Sequence, residues 1–290
     1  MAVKVGMVSL GCAKNLVNGE QMLHLLRAAG YEITADLAET EVLIVNTCAF
    51  IDSAKQEAID TILEYAELKK EGRLKKLLVT GCLSQRYRKE ILKELPEVDG
   101  ILGTGSYDDI VPAVEEALRG LKPERFGDIS APVSEEDRIV TTGPGWAYLK
   151  IAEGCDNRCS YCVIPSIRGR YRSRSMENIL REAEALAAQG VKELIVVAQD
   201  ITRYGLDLYG EPRLAELIRA LAKIDGVRWI RLHYLYPDLI TDELIDLVAS
   251  APKVVKYLDI PIQHISDGIL KKMNRRGSGK EIEALLTKLR

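Results

Sequence analysis

The 290-residue sequence has no apolar run long enough to cross a bilayer, and its opening residues, MAVKVGMVSLGC, lack the layout of a secretory signal. Both absences argue against a membrane-spanning or exported chain, and the expected setting is the cytoplasm. An excess of either charge is missing too: the formal net charge is −3 and the pI about 5.8, so no chain-wide basic field advertises nucleic acid. A local basic patch is still compatible with that balance. No internal repeat or low-complexity tract is present, which removes solenoids and disordered tails. What is there is a soluble globular profile, 47% hydrophobic and 29% charged, long enough for two domains of ordinary size. There are six cysteines, and in a reducing compartment they serve more often as ligands or nucleophiles than as disulfide partners.

The first part alternates strand and helix. KVGMVSL, VLIVNTC, KKLLVTGC and VDGILGT read as strands, with helical patterns between them. Ser53 and Gln56 have capping-box spacing ahead of the second helix. Such alternation implies a doubly wound parallel α/β domain over residues 1–122. Residues 123–145 are broken by Pro123, Gly127, Pro132, Gly143, Pro144 and Gly145 and read as a linker. Over 146–290 the alternation resumes through AYLKIAEGC, ELIVVAQD, RWIRLHYLYP and VKYLDIPIQH. Four parallel strands with helices cannot close a barrel, so a partial (β/α) barrel is expected.

Cys12, Cys48 and Cys82 each follow directly on an expected strand: SLGC, VNTC, VTGC. In a parallel sheet those carboxyl ends lie along one edge, where such folds place ligands, so the three can converge on a shared metal site. A single free cysteine is more often a small buried hydrophobe, but three at equivalent points of successive β/α units point to ligation. Zinc would want a fourth protein ligand, and His24 or Asp52 fits no better than chance.

Cys155, Cys159 and Cys162, in EGCDNRCSYC, form a Cys-x-x-x-Cys-x-x-Cys group just after the first strand of the second domain. Zinc knuckles need a second Cys-x-x-Cys pair, which is absent, and a disulfide would leave an odd thiol. The remaining option is a [4Fe–4S] cluster with one iron open to another ligand.

This motif, with Tyr161 before the third cysteine, resembles that of the radical S-adenosylmethionine superfamily. The resemblance implies that S-adenosylmethionine chelates the open iron and is cleaved by one electron to a 5′-deoxyadenosyl radical, which abstracts hydrogen from inert carbons. A three-cysteine α/β domain joined to such a domain resembles the methylthiotransferase family. The likeness runs through SLGCAKNLVNGEQM, VNTCAFIDSAKQEAI, VTGCLSQRY, EGCDNRCSYCVIPSIRG, RSRS, LDIPIQH and KKMNRRG. It implies two [4Fe–4S] clusters, the second on Cys12, Cys48 and Cys82 with an extra sulfur on its own open iron, and no catalytic side chain beyond the cluster ligands.

One family branch modifies adenosine in tRNA, the other an aspartate β-carbon in a small-subunit ribosomal protein. The tRNA branch usually carries Gln-Met-Asn after the first cysteine; this chain reads Cys12-Ala13-Lys14-Asn15 and, with YLKIAEGC, VVAQDITRYG and RLHYLYP, resembles the ribosomal-protein branch. Ala13 stands where proline is common, and Asn18-Gly19 where Asp-Ser is usual. The expected partners are a ribosomal protein and a reducing electron donor, with no membrane and no strong nucleic-acid signal in this chain. The tRNA activity and a non-catalytic iron–sulfur protein are the alternatives. Family members continue through the rest of an open barrel and a small β-domain, so the expectation is a chain truncated at its C-terminus with impaired turnover.

Other polar residues are weaker candidates. Arg168, Arg170, Arg172 and Arg174 alternate and would share one face if extended, and the resemblance favours Arg168 and Arg174 as cofactor contacts. Gln199 and Asp200 end the second barrel strand, and His233, Tyr234, Gln263 and His264 lie near later strand ends. Tyr161, Arg168, Arg174, Gln199 and His233 are thus the expected cofactor-binding residues. GTGSYD, at 103–108, lacks the third glycine of a dinucleotide loop and reads as a turn.

Overall fold

VLIVNT, at Val42–Thr47, is buried at every position, as a strand covered by helices on both faces must be. In a computed structural model describing residues 2–290, it is the third strand of a six-stranded parallel sheet. The strands are β1 (Lys4–Ser9), β2 (Glu32–Ile33), β3 (Val42–Thr47), β4 (Lys76–Gly81), β5 (Gly100–Leu102) and β6 (Glu124–Arg125), in the spatial order β2-β1-β3-β4-β5-β6. The chain winds one way from β1 to β2 and the other way from β3 onward. The carboxyl ends of β1 and β3 therefore flank a topological switch point, where a doubly wound sheet opens a crevice. Val5, Met22, Leu26, Val42, Ile44 and Leu78 are fully buried between the sheet and its helices.

The chain divides into two compact units, Met1–Thr141 with Ser166–Arg168, and Thr142–Pro165 with Gly169–Arg290. The proline- and glycine-rich stretch is thus more than a linker. Within it Glu124 and Arg125 pair with Ile101 and Leu102 at the sheet edge. Residues further along strap the helix Ala13–Ala28: Gln21 Nε2 donates to the carbonyls of Ser134 (3.3 Å) and Glu136 (3.4 Å). Ile139 N donates to Glu20 O at 3.1 Å. The buried Glu20 carboxylate takes the Arg138 guanidinium and the Thr141 amide, the latter at 2.6 Å. Proline and glycine interrupt local periodicity, but they do not prevent edge pairing or side-chain anchoring.

The helix Asp52–Lys70 also begins differently from its sequence signal. Ile51 is its N-cap, no side chain caps it, and Gln56 Nε2 instead donates to Asp60 Oδ1 at 2.7 Å. A helix starting at Asp52 places Ser53 one residue inside the first turn. A capping box does form at Ser278 and Glu281, opening the helix Gly279–Leu289.

The second unit holds β7 (Trp146–Lys150), β10 (Glu193–Val197), β11 (Trp229–Leu232) and β12 (Val254–Leu258) in one parallel sheet, ordered β12-β11-β10-β7. A short antiparallel pair, β8 (Ala152–Glu153) and β9 (Arg172–Ser173), follows β7 in the chain. The intervening helices bury Ile179 and Leu186, then Leu217, Ile218 and Leu221, then Leu244 and Leu247. This is the four-stranded, unclosed arc that the strand count implied. No helix among the described residues is long and apolar enough to cross a membrane.

Candidate metal centres

Three turns at the carboxyl edge of the first sheet carry the spread-out triad. Cys12 is the N-cap of the helix Ala13–Ala28, Cys48 directly follows β3, and Cys82 directly follows β4. Cys48 and Cys82 are buried and Cys12 partly so. Gly11 holds φ at +89°, and a Cβ there would lie 2.5 Å from the Cys48 Cβ and 3.0 Å from its sulfur. The turn after β1 is therefore pressed onto Cys48, and only glycine fits. The Cys82 thiol is pushed up by burial, held back by the Arg168 guanidinium, and raised further by Cys12 and Cys48. The three sulfurs share one electrostatic neighbourhood.

Asparagines frame this site. Asn15 Nδ2 donates to Leu10 O at 2.8 Å and to Thr47 O at 3.3 Å, while Asn46 Nδ2 donates to Asn15 O at 2.7 Å. The turns after β1 and β3 are thereby tied to the helix behind them.

The tight triad sits beyond β8. Gly154 holds φ at +82°, and a Cβ there would fall on the Arg170 carbonyl oxygen. That close approach lets Cys155 N donate to Gly169 O at 3.1 Å. Burial pushes the Cys155 thiol up to about 11, against the Asn157 amide and with Asp200, Cys162 and Cys159 adding to the rise. Cys162 is raised as well, first by burial. A cavity of about 320 Å³ opens beside Cys155, lined by Asp156, Arg158, Pro165, Gly169 and Arg170.

The turn at Met273–Arg275 clamps this loop. Met273 O accepts from Ser160 N at 3.0 Å, and Asn274 Nδ2 donates to Arg158 O at 2.6 Å. The Arg275 guanidinium lies 3.7 Å from the Tyr236 ring centroid, with Nη1 3.8 Å from the Cys159 sulfur. The Tyr236 hydroxyl is 3.7 Å from the same sulfur.

Near the strand ends, Glu153 accepts from Lys150 Nζ at 3.1 Å and from Gln199 Nε2 at 2.5 Å. Asn157 Nδ2 donates to Asp200 Oδ2 at 3.1 Å. Gln199 Oε1 and Asn157 Oδ1 are buried acceptors without a hydrogen-bond partner.

The expected cofactor residues part company here. Gln199 belongs to this polar group, and Tyr161 is half-exposed beside Cys159, its phenol raised chiefly by burial. His233 packs against the Tyr234 and Tyr257 rings. Arg168 and Arg174 go elsewhere, because the alternating arginines do not form one extended face: Arg168 ends the helix Ile164–Arg168, and only Arg172 lies in a strand. Arg168 is buried against Cys82, Asn15 and Asn18 of the first unit. Arg174 is buried against Glu182 (2.6 Å), the Lys150 carbonyl (2.7 Å) and Asn178. Arg275, Tyr236, Lys150, Glu153 and Asn157 were missed. Arg275 lies in KKMNRRG, a stretch that marked the family without assigning the residue a task.

Comparison with known proteins decides the family. Residues 149–290 match the Radical SAM superfamily, and residues 4–103 match Uncharacterized protein family UPF0004. Over 99% of this chain, it is 54% identical to a ribosomal protein uS12 methylthiotransferase RimO of Lachnoclostridium phytofermentans. Over 100% it is 55% identical to the protein of that name from Pelotomaculum thermopropionicum. The chain belongs to the radical S-adenosylmethionine methylthiotransferase family. It spans 66% of the length of each of those two relatives. In fold it resembles a solved radical S-adenosylmethionine methyltransferase, TsrM of Kitasatospora setae, at TM-score 0.69 and 15% identity, covering 99% of this chain and 65% of that one.

The residues present fit the cofactors such a family uses. Among the described residues, no three His, Cys, Asp or Glu side chains are drawn together to grip one metal ion. A four-iron cluster takes one thiolate on each of three irons, so its cysteines stand wider apart than the ligands of a single ion. Both triads supply soft sulfur donors, and each has a glycine turn that permits close backbone approach. The two orphaned acceptors at Gln199 and Asn157 suit a ligand bearing amino and hydroxyl donors, as S-adenosylmethionine does.

Proposed function

We propose that this chain carries the two cluster sites of an enzyme that places a methylthio group on the β-carbon of an aspartate in ribosomal protein uS12. The observation that carries the reading is the joint one. One cysteine triad follows three strand ends of a parallel sheet and the other follows the short strand β8, in a chain 54–55% identical to proteins named for that reaction. Cys155, Cys159 and Cys162 would hold one [4Fe–4S] cluster in a radical domain, and Cys12, Cys48 and Cys82 the second in an auxiliary domain. When bound, the first cluster with S-adenosylmethionine supplies one-electron chemistry for an inert C–H bond, and the second supplies sulfur.

The chain's own residues do the positioning. Cys155, 9% exposed, lines the cavity beside the loop, so its sulfur faces a sheltered space rather than the open surface. Arg275, stacked on Tyr236, fixes a cationic donor at Cys159. Glu153 orients Gln199 so that its free oxygen is presented as an acceptor. The setting is a reducing cytoplasm with a low-potential electron donor. The test is incubation of the reconstituted chain with S-adenosylmethionine, reductant and uS12. The expected products, at reduced turnover, are 5′-deoxyadenosine and methionine from one S-adenosylmethionine and S-adenosylhomocysteine from a second, which gives up the methyl group. The uS12 peptide should carry one methylthio group in place of hydrogen on the aspartate. Methylthiolated adenosine in tRNA instead would overturn the substrate, and absence of 5′-deoxyadenosine would overturn the radical chemistry of this chain.

A further inference from the structure

Arg168 was expected beside the cofactor of the tight triad, yet its guanidinium is part of the first unit and points at the other triad. It is 3% exposed. Nη2 donates to the Cys82 sulfur at 3.3 Å and to Asn15 Oδ1 at 3.0 Å, and Nη1 donates to Asn18 Oδ1 at 2.9 Å. The Tyr107 ring centroid lies 5.8 Å from the guanidinium carbon. Asn15 and Asn18 are three residues apart on the helix capped by Cys12, so one helix carries both a ligand and the anchors of the cation. Asn15 is itself fixed by its bonds to Leu10 O and Thr47 O. An arginine so held cannot lose its charge or swing away from the sulfur.

We infer that Arg168 is a positioning residue of the Cys12–Cys48–Cys82 cluster, and that its N–H bond to the Cys82 sulfur sets the cluster's reduction potential. The inference rests on the assignment of an iron–sulfur cluster to that triad. Electron density added on reduction spreads onto the thiolate sulfurs, so an N–H donor and a fixed positive charge stabilise the reduced state more than the oxidised one. In a buried setting, where little water screens the charge, the preference is stronger than at a surface. The potential is therefore higher with Arg168 than without it.

The experiment uses the full chain with Cys155, Cys159 and Cys162 replaced by alanine, so that a single cluster is titrated by electron paramagnetic resonance. Arg168→Gln should lower the midpoint potential. A tenfold change in the reduction equilibrium reads as about 59 mV for a one-electron couple. Arg168→Lys keeps the charge but loses the two-pronged fork, and should shift the potential in the same direction by less. Equal potentials in all three proteins, or a rise on substitution, overturn the role of Arg168, because a purely structural arginine would change stability and leave the potential alone. If Arg168→Gln holds no iron, Arg168→Lys decides: a lowered potential supports the role and an unmoved one refutes it. Failure of the parent triple variant to bind four irons would refute the cluster assignment instead.

Discussion

Replacing Arg174 with methionine separates a structural arginine from a cofactor-binding one. The Arg174 side chain is 1% exposed and its partner Glu182 16% exposed. Methionine removes the 2.6 Å ion pair, the 2.7 Å bond to the Lys150 carbonyl and the bond to Asn178, leaving a carboxylate mostly buried without that counter-charge. Breaking a buried pair from one side costs about 3–5 kcal/mol, a large share of the roughly 5–15 kcal/mol that stabilises a folded domain. With a urea dependence of about 2 kcal/mol per molar, the unfolding midpoint should fall by roughly 1.5–2.5 M. Both tryptophans of the chain, Trp146 and Trp229, lie in the unit that holds Arg174, so their fluorescence reports that unit alone. Glu182→Gln in the Arg174→Met background should cost less than the two changes summed. S-adenosylmethionine affinity, measured in urea-free buffer, should stay within a few-fold. An unmoved midpoint with a large loss of cofactor affinity would refute the reasoning.

Three further outcomes follow from the same geometry. Gly154→Ala and Gly11→Ala should each remove about four irons per chain, since each Cβ collides beside one triad; Gly120→Ala, with φ +83° but open space around it, should load normally and lose only about 1–2 kcal/mol of stability. Glu20→Ala should free the strap around Arg138 for tryptic cleavage while Glu39→Ala, at an exposed pair, should not; equal cleavage of both would contradict the anchoring role of Glu20. In the iron-stripped chain at pH 7, the Cys155 thiolate fraction should be about 100-fold below that of an unburied cysteine, because burial lifts its pKa to about 11. Iodoacetamide followed by peptide mass spectrometry should therefore find Cys155 among the last sites modified, and early modification would contradict its burial.

Much of the arrangement was legible because parallel strands covered on both faces read as unbroken apolar runs. VLIVNT, KKLLVTGC and ELIVVAQD needed no periodicity argument, and the cysteines after them fell at sheet edges by topology. β2 and β6 are two residues each, too short to carry a pattern, and β6 lay inside a stretch whose prolines and glycines pointed to a linker. Arg168 and Arg174 defeated the spacing argument for a different reason. Alternation defines a face only in extended chain, and the helix turn ending at Arg168 sends the two guanidiniums to different burial sites. The roles of Arg275 and Tyr236 depend on contacts with Cys159 across 116 and 77 residues of chain, pairings that no local rule specifies.

The central claim is that one chain holds two separate four-iron sites. Anaerobic reconstitution with iron quantification and Mössbauer spectroscopy tests it directly. The native chain should bind about eight irons as [4Fe–4S] clusters, and Cys12→Ala and Cys155→Ala should each bind about four, at complementary sites. A native plateau at four irons, untouched by Cys12→Ala, would contradict it.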